Sequence, residues 1–181
     1  KRHMPEAYKK TRYFGHINTL LALRMTGKYA IDRSNASYTG LFETAGSLEW
    51  SSELCEQIGI DFEKLPPIKR SDEIIGGLKD PEMIALGIMA GTPVVIGGGD
   101  TACASLAAGV VKNNDVCESA GTTDVLTVCV NKPKFDRRFI NRCHVVDGTW
   151  IYQGAMSHTG ASMVWFQNQF CSDLKKRAAE E

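Results

Sequence analysis

The stretch that decides the reading is PVVIGGGDTACASLAAGVV, residues 93–111. Pro93 to Ile96 reads as a strand, since proline is tolerated at a strand's first position. Three glycines follow, then Asp100, then a helix from about Thr101 to Val110 whose small residues suit close packing on a sheet. Asp100 thus lies between the carboxyl end of a strand and the start of a helix, where open α/β sheets bind ligands. From spacing alone it is an N-cap, a ligand contact or a proton acceptor. A cap does not require three preceding glycines; they point to close approach of backbone or ligand. The run reads as neither a dinucleotide fingerprint nor a Walker A loop, since no G-K-[ST] follows.

Upstream, Tyr13, Ile17, Leu20, Leu21 and Met25 recur at helical spacing, and Gly27 is a stop signal. Residues 31–42, IDRSNASYTGLF, read as a loop from their Ser, Asn, Thr and Gly content. A short helix follows, capped by Ser51 or Ser52, carrying the Leu54 and Ile58 pair and ended by Gly59. Pro66 and Pro67 mark a connector without helix. Asp80, Pro81 and Glu82 open another short helix. Downstream, KNND at 112–115 is a polar turn and a candidate domain boundary. Beyond it, two β-like runs flank Gly121, Thr122 and Thr123, and Asp147-Gly148 marks a hairpin tip. SHTGASMVWFQNQF then turns helical, with Met163 and Phe166 or Gln167 on one face, and DLKKRAAEE reads as a solvated helix.

Composition narrows the function classes. The 181 residues are 43% hydrophobic and 23% charged, which suits a folded globular chain. The formal net charge is zero, so nothing recommends a nucleic-acid or acidic-membrane partner. No apolar run approaches the roughly 20 residues a membrane helix needs, and the first residues carry no secretory h-region. The six cysteines form no C-x-x-C pair, so no metal site is expected. Their scatter suits buried thiols in a reducing cytoplasm better than a disulfide framework.

Two further glycine corners stand out. The Gly121-Thr122-Thr123 turn offers backbone N–H groups and hydroxyls to phosphate oxygens, or is an ordinary hairpin turn. Gly160 presents a helix N-terminus to an anion, or serves close packing. His144 and His158 read as structural positions, and Trp150 and Trp165 as core or edge aromatics.

The order of these corners resembles the FGGY family of carbohydrate kinases, with xylulokinases and glycerol kinases as the nearest flavour. DRSNAS at 32–37, GLF at 40–42 and GTPVVIGGGDTACASLAAGVV at 91–111 resemble family motifs, as do SAGTTDVL at 119–126 and TGASMVW at 159–165. The resemblance implies an α/β fold of the actin-like, ribonuclease-H-like ATPase architecture, incomplete here, with parts of two domains flanking a cleft. Residues 1–112 would be the C-terminal part of the sugar-binding domain, and 113–181 the start of the nucleotide-binding domain. It implies transfer of the γ-phosphoryl of ATP, with Mg2+, to a sugar or polyol such as a ketopentose, in a cytoplasmic homodimer. Asp100 falls on the family's general base and, with Thr101, at the substrate. Gly121, Thr122, Thr123 and Gly160 fall on its nucleotide contacts.

Four positions depart from the pattern. Thr101 stands where glycerol kinases carry glutamine, which argues against glycerol. Asp124 places a carboxylate after the phosphate loop, repulsive to ATP unless it points away or meets magnesium. Thr159 replaces a glycine and Val164 a polar nucleotide contact. The family's opening Asp-Gly-Thr loop and closing adenosine segment do not occur in these residues. The chain is therefore expected to be a fragment inactive alone. The alternative is a non-catalytic sugar- or phosphate-binding module derived from such a kinase.

Overall fold

The computed structural model describes residues 1–133 and 135–171. The solvated helix expected at 173–181 lies outside them. Helix α1 (Pro5–Lys10) begins on proline, and α2 (Ile17–Thr26) ends at Gly27, whose φ of 73° is left-handed. The apolar stripe expected on α2 is not its buried face. Ile17, Leu20 and Leu21 are exposed, while Thr19, Ala22 and Thr26 are buried. Small residues win because the neighbouring strand comes close: a Cβ on Gly76 would lie 3.1 Å from Thr26 Cβ. Tyr13 precedes the helix and stacks on Tyr29 at 3.8 Å.

Residues 31–42 are not simply a loop. They form β1 (Ile31–Asp32) and α3 (Arg33–Ala36), and β1 runs parallel to β2 (Ile68–Lys69) in the supposed connector. The same connector holds β3 (Ile74–Gly77), antiparallel to β4 (Pro93–Val95). The local signals hold elsewhere. Ser51 caps α4 (Ser52–Ile58), accepting from the Leu54 N–H at 3.4 Å, and Gly59 ends it. Asp80 caps α5 (Pro81–Ala85).

Helix α6 (Asp100–Ala107) leads into a four-stranded antiparallel sheet. Its strands are β5 (Val116–Ala120), β6 (Asp124–Val130), β7 (Ile140–Cys143) and β8 (Trp150–Met156), in the order β5-β6-β8-β7. Helix α7 (Gly160–Phe170) follows.

One buried cluster joins Ile31, Phe42, Trp50 and Cys55 to Cys143 of β7, with Trp150 packed against it. The β7–β8 hairpin is therefore seated on the first part of the chain. Trp150 Nε1 donates to the Thr44 carbonyl at 2.7 Å, and Asp147 at the tip pairs with Arg33 at 2.6 Å. All six cysteines are free. Among the described residues no helix is long and apolar enough to cross a membrane.

Candidate active site

The loop after β4 turns sharply at Gly97, whose φ is 72°. The next two glycines are required by neighbouring protein. A Cβ on Gly98 would lie 2.2 Å from Val145 Cγ1, and one on Gly99 would lie 2.2 Å from Arg142 Nη2. The close approach expected of a ligand at these two positions is thus made by side chains of the β7–β8 hairpin. Gly99 is the N-cap of α6, and Asp100 is its first residue. The Asp100 Oδ1 accepts from the Thr101 N–H at 2.6 Å and the Thr101 hydroxyl at 3.1 Å. A carboxylate in the first turn is favoured by the helix dipole, and this one stays exposed.

Asp100 lines two clefts. One, of about 640 Å3, lies between it and the start of α2, where Gly15, His16, Asn18 and Asn35 also line the wall. The other, of about 460 Å3, runs between α6 and the sheet, lined by Thr101, Ser105, Ser119, Val125 and Thr127 among others. Thr101 therefore lines the sheet-side cleft and not the α2-side one.

The wall of the α2-side cleft is built on Asp32, which is fully buried. Its carboxylate accepts from the Ser34 and Asn35 N–H groups at 2.8 and 3.2 Å, capping α3. It also accepts from Asn18 Nδ2 at 2.8 Å, Asn35 Nδ2 at 2.7 Å and the Ser34 hydroxyl. The two asparagines are so held with defined orientation. Asn18 Oδ1 is buried with no partner among the described residues, an acceptor left over at the cleft.

The second corner joins the third. The Gly121 N–H donates to the Thr123 carbonyl at 2.7 Å, closing the turn. The N–H groups of Gly160 and Ala161 donate to the Gly121 and Thr122 carbonyls at 3.0 and 3.3 Å. A Cβ on Gly160 would lie 2.3 Å from the Gly121 oxygen. The α7 N-terminus is thus spent on this turn, and close packing accounts for the glycine. Among the described residues nothing accepts from the Thr122 or Thr123 N–H, so the open donors of this region belong to the turn itself. Asp124 lies on the opposite face of β6 from Val125 and Thr127. There its carboxylate faces Glu118 and holds that carboxyl above its usual range.

A family model described as the N-terminal domain of the FGGY family of carbohydrate kinases matches residues 1–107. The chain belongs to the FGGY family. It is 31% identical over 175 residues to the autoinducer-2 kinase of Klebsiella pneumoniae subsp. pneumoniae, covering 96% of this chain and 33% of that protein. The autoinducer-2 kinase of Photorhabdus laumondii subsp. laumondii matches at the same identity and coverage. Among solved structures, the xylulose kinase from Rhodospirillum rubrum superposes with a TM-score of 0.89 at 25% identity, over 99% of this chain and 36% of that one. Plasmodium falciparum glycerol kinase with ADP superposes at 0.85 with 22% identity, over 95% of this chain and 36% of that one. The FGGY chain has the α/β actin-like ATPase fold in part, spanning about a third of the length of its curated relatives.

Within this FGGY chain the sequence-selected residues fall into two groups. Asp100 and Thr101 sit together at the clefts, and Gly121, Thr122, Thr123 and Gly160 sit together at the turn. His158 is exposed and away from both clefts. His144 is buried, its Nε2 on the Val110 carbonyl at 2.8 Å, and burial pushes its pKa down. Sequence reading missed His16, Asn18, Asp32 and Asn35. The signal for Asp32 was present, since aspartate two and three places before Ser34 and Asn35 is a helix-capping pattern. Among the described residues no three His, Cys, Asp or Glu side chains gather to hold a metal.

Proposed function

We propose that this chain forms part of an ATP-dependent carbohydrate kinase. The observation that carries this is the exposed Asp100 carboxylate on the walls of two adjoining clefts. The α2-side cleft, with oriented asparagines and His16, suits a polyhydroxylated acceptor. The sheet-side cleft suits the approaching phosphate donor.

In this reading Asp100 accepts a hydrogen bond from the acceptor hydroxyl. It takes that proton as the new oxygen–phosphorus bond forms, while the bond to ADP breaks and the leaving oxygen keeps its electron pair. Thr122 and Thr123 direct N–H and hydroxyl groups to phosphate oxygens, and Gly160 lets α7 hold their turn. Magnesium bound with the nucleotide would offset phosphate charge. Residues 1–112 supply the sugar side and 113–181 the start of the nucleotide side. The acceptor class is a ketopentose such as xylulose or a related ketose. The free thiols suit a reducing cytoplasm.

The test is ADP release by the full-length protein against ketopentoses, polyols and deoxyketoses, with Asp100→Asn beside it. One sugar should give strong turnover, and the variant should lose about 10²- to 10⁴-fold with its fold intact. The 181-residue chain alone should give none. Absence of turnover with every sugar would favour the non-catalytic binding module, and full activity in the variant would take the proton-acceptor role away from Asp100.

A further inference from the structure

We propose that Arg142 is a positioning residue that holds the Asp100 loop and ties it to the sheet-side cleft; this rests on the kinase reading above. Arg142 is carried by β7, far from Asp100 in sequence, yet its side chain is fully buried behind the loop. Its Nη2 donates to the Ser34 carbonyl at 3.2 Å. The Ser34 hydroxyl in turn accepts from the Gly99 N–H at 2.8 Å and donates to Asp32. The same Nη2 fills the space beside Gly99 Cα, where a Cβ would come within 2.2 Å. The peptide just before Asp100 is thus clamped between a hydroxyl and a guanidinium.

The other arm runs to the second cleft. Arg142 Nη1 donates to the Tyr38 hydroxyl at 2.7 Å, and the guanidinium lies 4.0 Å from the Tyr38 ring centroid. Tyr38 donates to Gln153 Oε1 at 3.2 Å, and Gln153 Nε2 donates to the Thr127 hydroxyl at 3.2 Å. Thr127 lines the sheet-side cleft. A single planar fork therefore connects the Asp100 loop to the wall facing it.

Packing alone does not explain an arginine here. Burial opposes its charge, which Tyr38, Asp32 and Asp100 support, and Nε has no partner among the described residues. An apolar side chain of similar volume avoids that desolvation. What it cannot supply is two charge-assisted hydrogen bonds, to the Ser34 carbonyl and the Tyr38 hydroxyl, that fix the segment on which the Asp100 loop rests.

The test uses the full-length protein with Arg142→Gln, Arg142→Lys and Tyr38→Phe, and Asp100→Asn as control. Two readouts are taken: kcat and KM for sugar and ATP, and amide exchange of residues 97–103. Arg142→Gln should lower kcat by about 10²-fold, the loss expected when a reacting group is misplaced by about 1 Å. KM should change little, and exchange at 97–103 should accelerate. Arg142→Lys should recover part of both, and Tyr38→Phe should move both in the same direction by less. If Arg142→Gln does not fold, the lysine and phenylalanine variants decide. Wild-type kcat with wild-type exchange in the folded variants overturns the proposal. So does a loss confined to KM. If Asp100→Asn keeps full activity the role of Asp100 fails, if even the wild type shows no turnover the kinase reading fails, and in both cases the exchange data still judge Arg142.

Discussion

Replacing Gly160 by alanine should loosen the joint between α7 and the Gly121–Thr123 turn. The new Cβ would start 2.3 Å from the Gly121 oxygen and must withdraw beyond 3.0 Å. The obstacle is backbone, so no side chain can swing away. Three hydrogen bonds span this joint: Gly160 to Gly121 at 3.0 Å, Thr159 to Thr122 at 3.2 Å and Ala161 to Thr122 at 3.3 Å. The two longer ones fail on any such retreat. At about 1 kcal/mol each, losing two or three costs about 2–3 kcal/mol. Gly160 carries no left-handed φ, so alanine gains up to about 1 kcal/mol of helix propensity. The net is a destabilisation of about 1–2 kcal/mol. The assay is thermal unfolding of the full-length Gly160→Ala variant with an ADP titration. The midpoint should fall by a few degrees, and ADP affinity should weaken because Thr122 and Thr123 shift with the turn. A variant as stable as wild type, with unchanged ADP affinity, refutes the argument.

Three further outcomes follow from the same geometry. Asp32→Ala leaves five donors on Ser34, Asn35 and Asn18 without their acceptor. It should cost about 3 kcal/mol or more in urea denaturation, and a change under about 1 kcal/mol would show that water replaces the carboxylate. His144 has its pKa lowered by burial and by Arg142, against the Val110 bond, so the unfolded chain takes the proton first as pH falls. Its contribution is complete above about pH 6.5 and declines below that. The acid decline in melting temperature should be shallower in His144→Gln, and an unchanged slope would assign it elsewhere. Asp147→Asn removes the pair with Arg33, both partly exposed, and should cost under about 1 kcal/mol; a larger loss would mean that the hairpin tip carries more of the docking than its ion pair.

What the sequence by itself determined were features made by neighbours in the chain. The Ser51 and Asp80 caps, the Gly27 and Gly59 stops and the Asp147-Gly148 hairpin each rest on contacts within a few residues. The strand, glycine run and Asp100-led helix belong to the same class, and the spacing of the glycine corners carried the family. Tertiary structure alone decided what the glycines are for and what stands behind the acid. Gly98 and Gly99 make room for Val145 and Arg142, and no local pattern links residues so far apart. Asp32 looked like part of a loop because its strand forms only by pairing with Ile68 and Lys69. On α2 the stripe of large apolar residues suggested the wrong buried face, since close approach of Gly76 to Thr26 favours small side chains there. Arg142 reads in sequence as one polar residue in a strand. Only the docked hairpin makes it a buried cation, because burial and charge pairing are set by which elements meet.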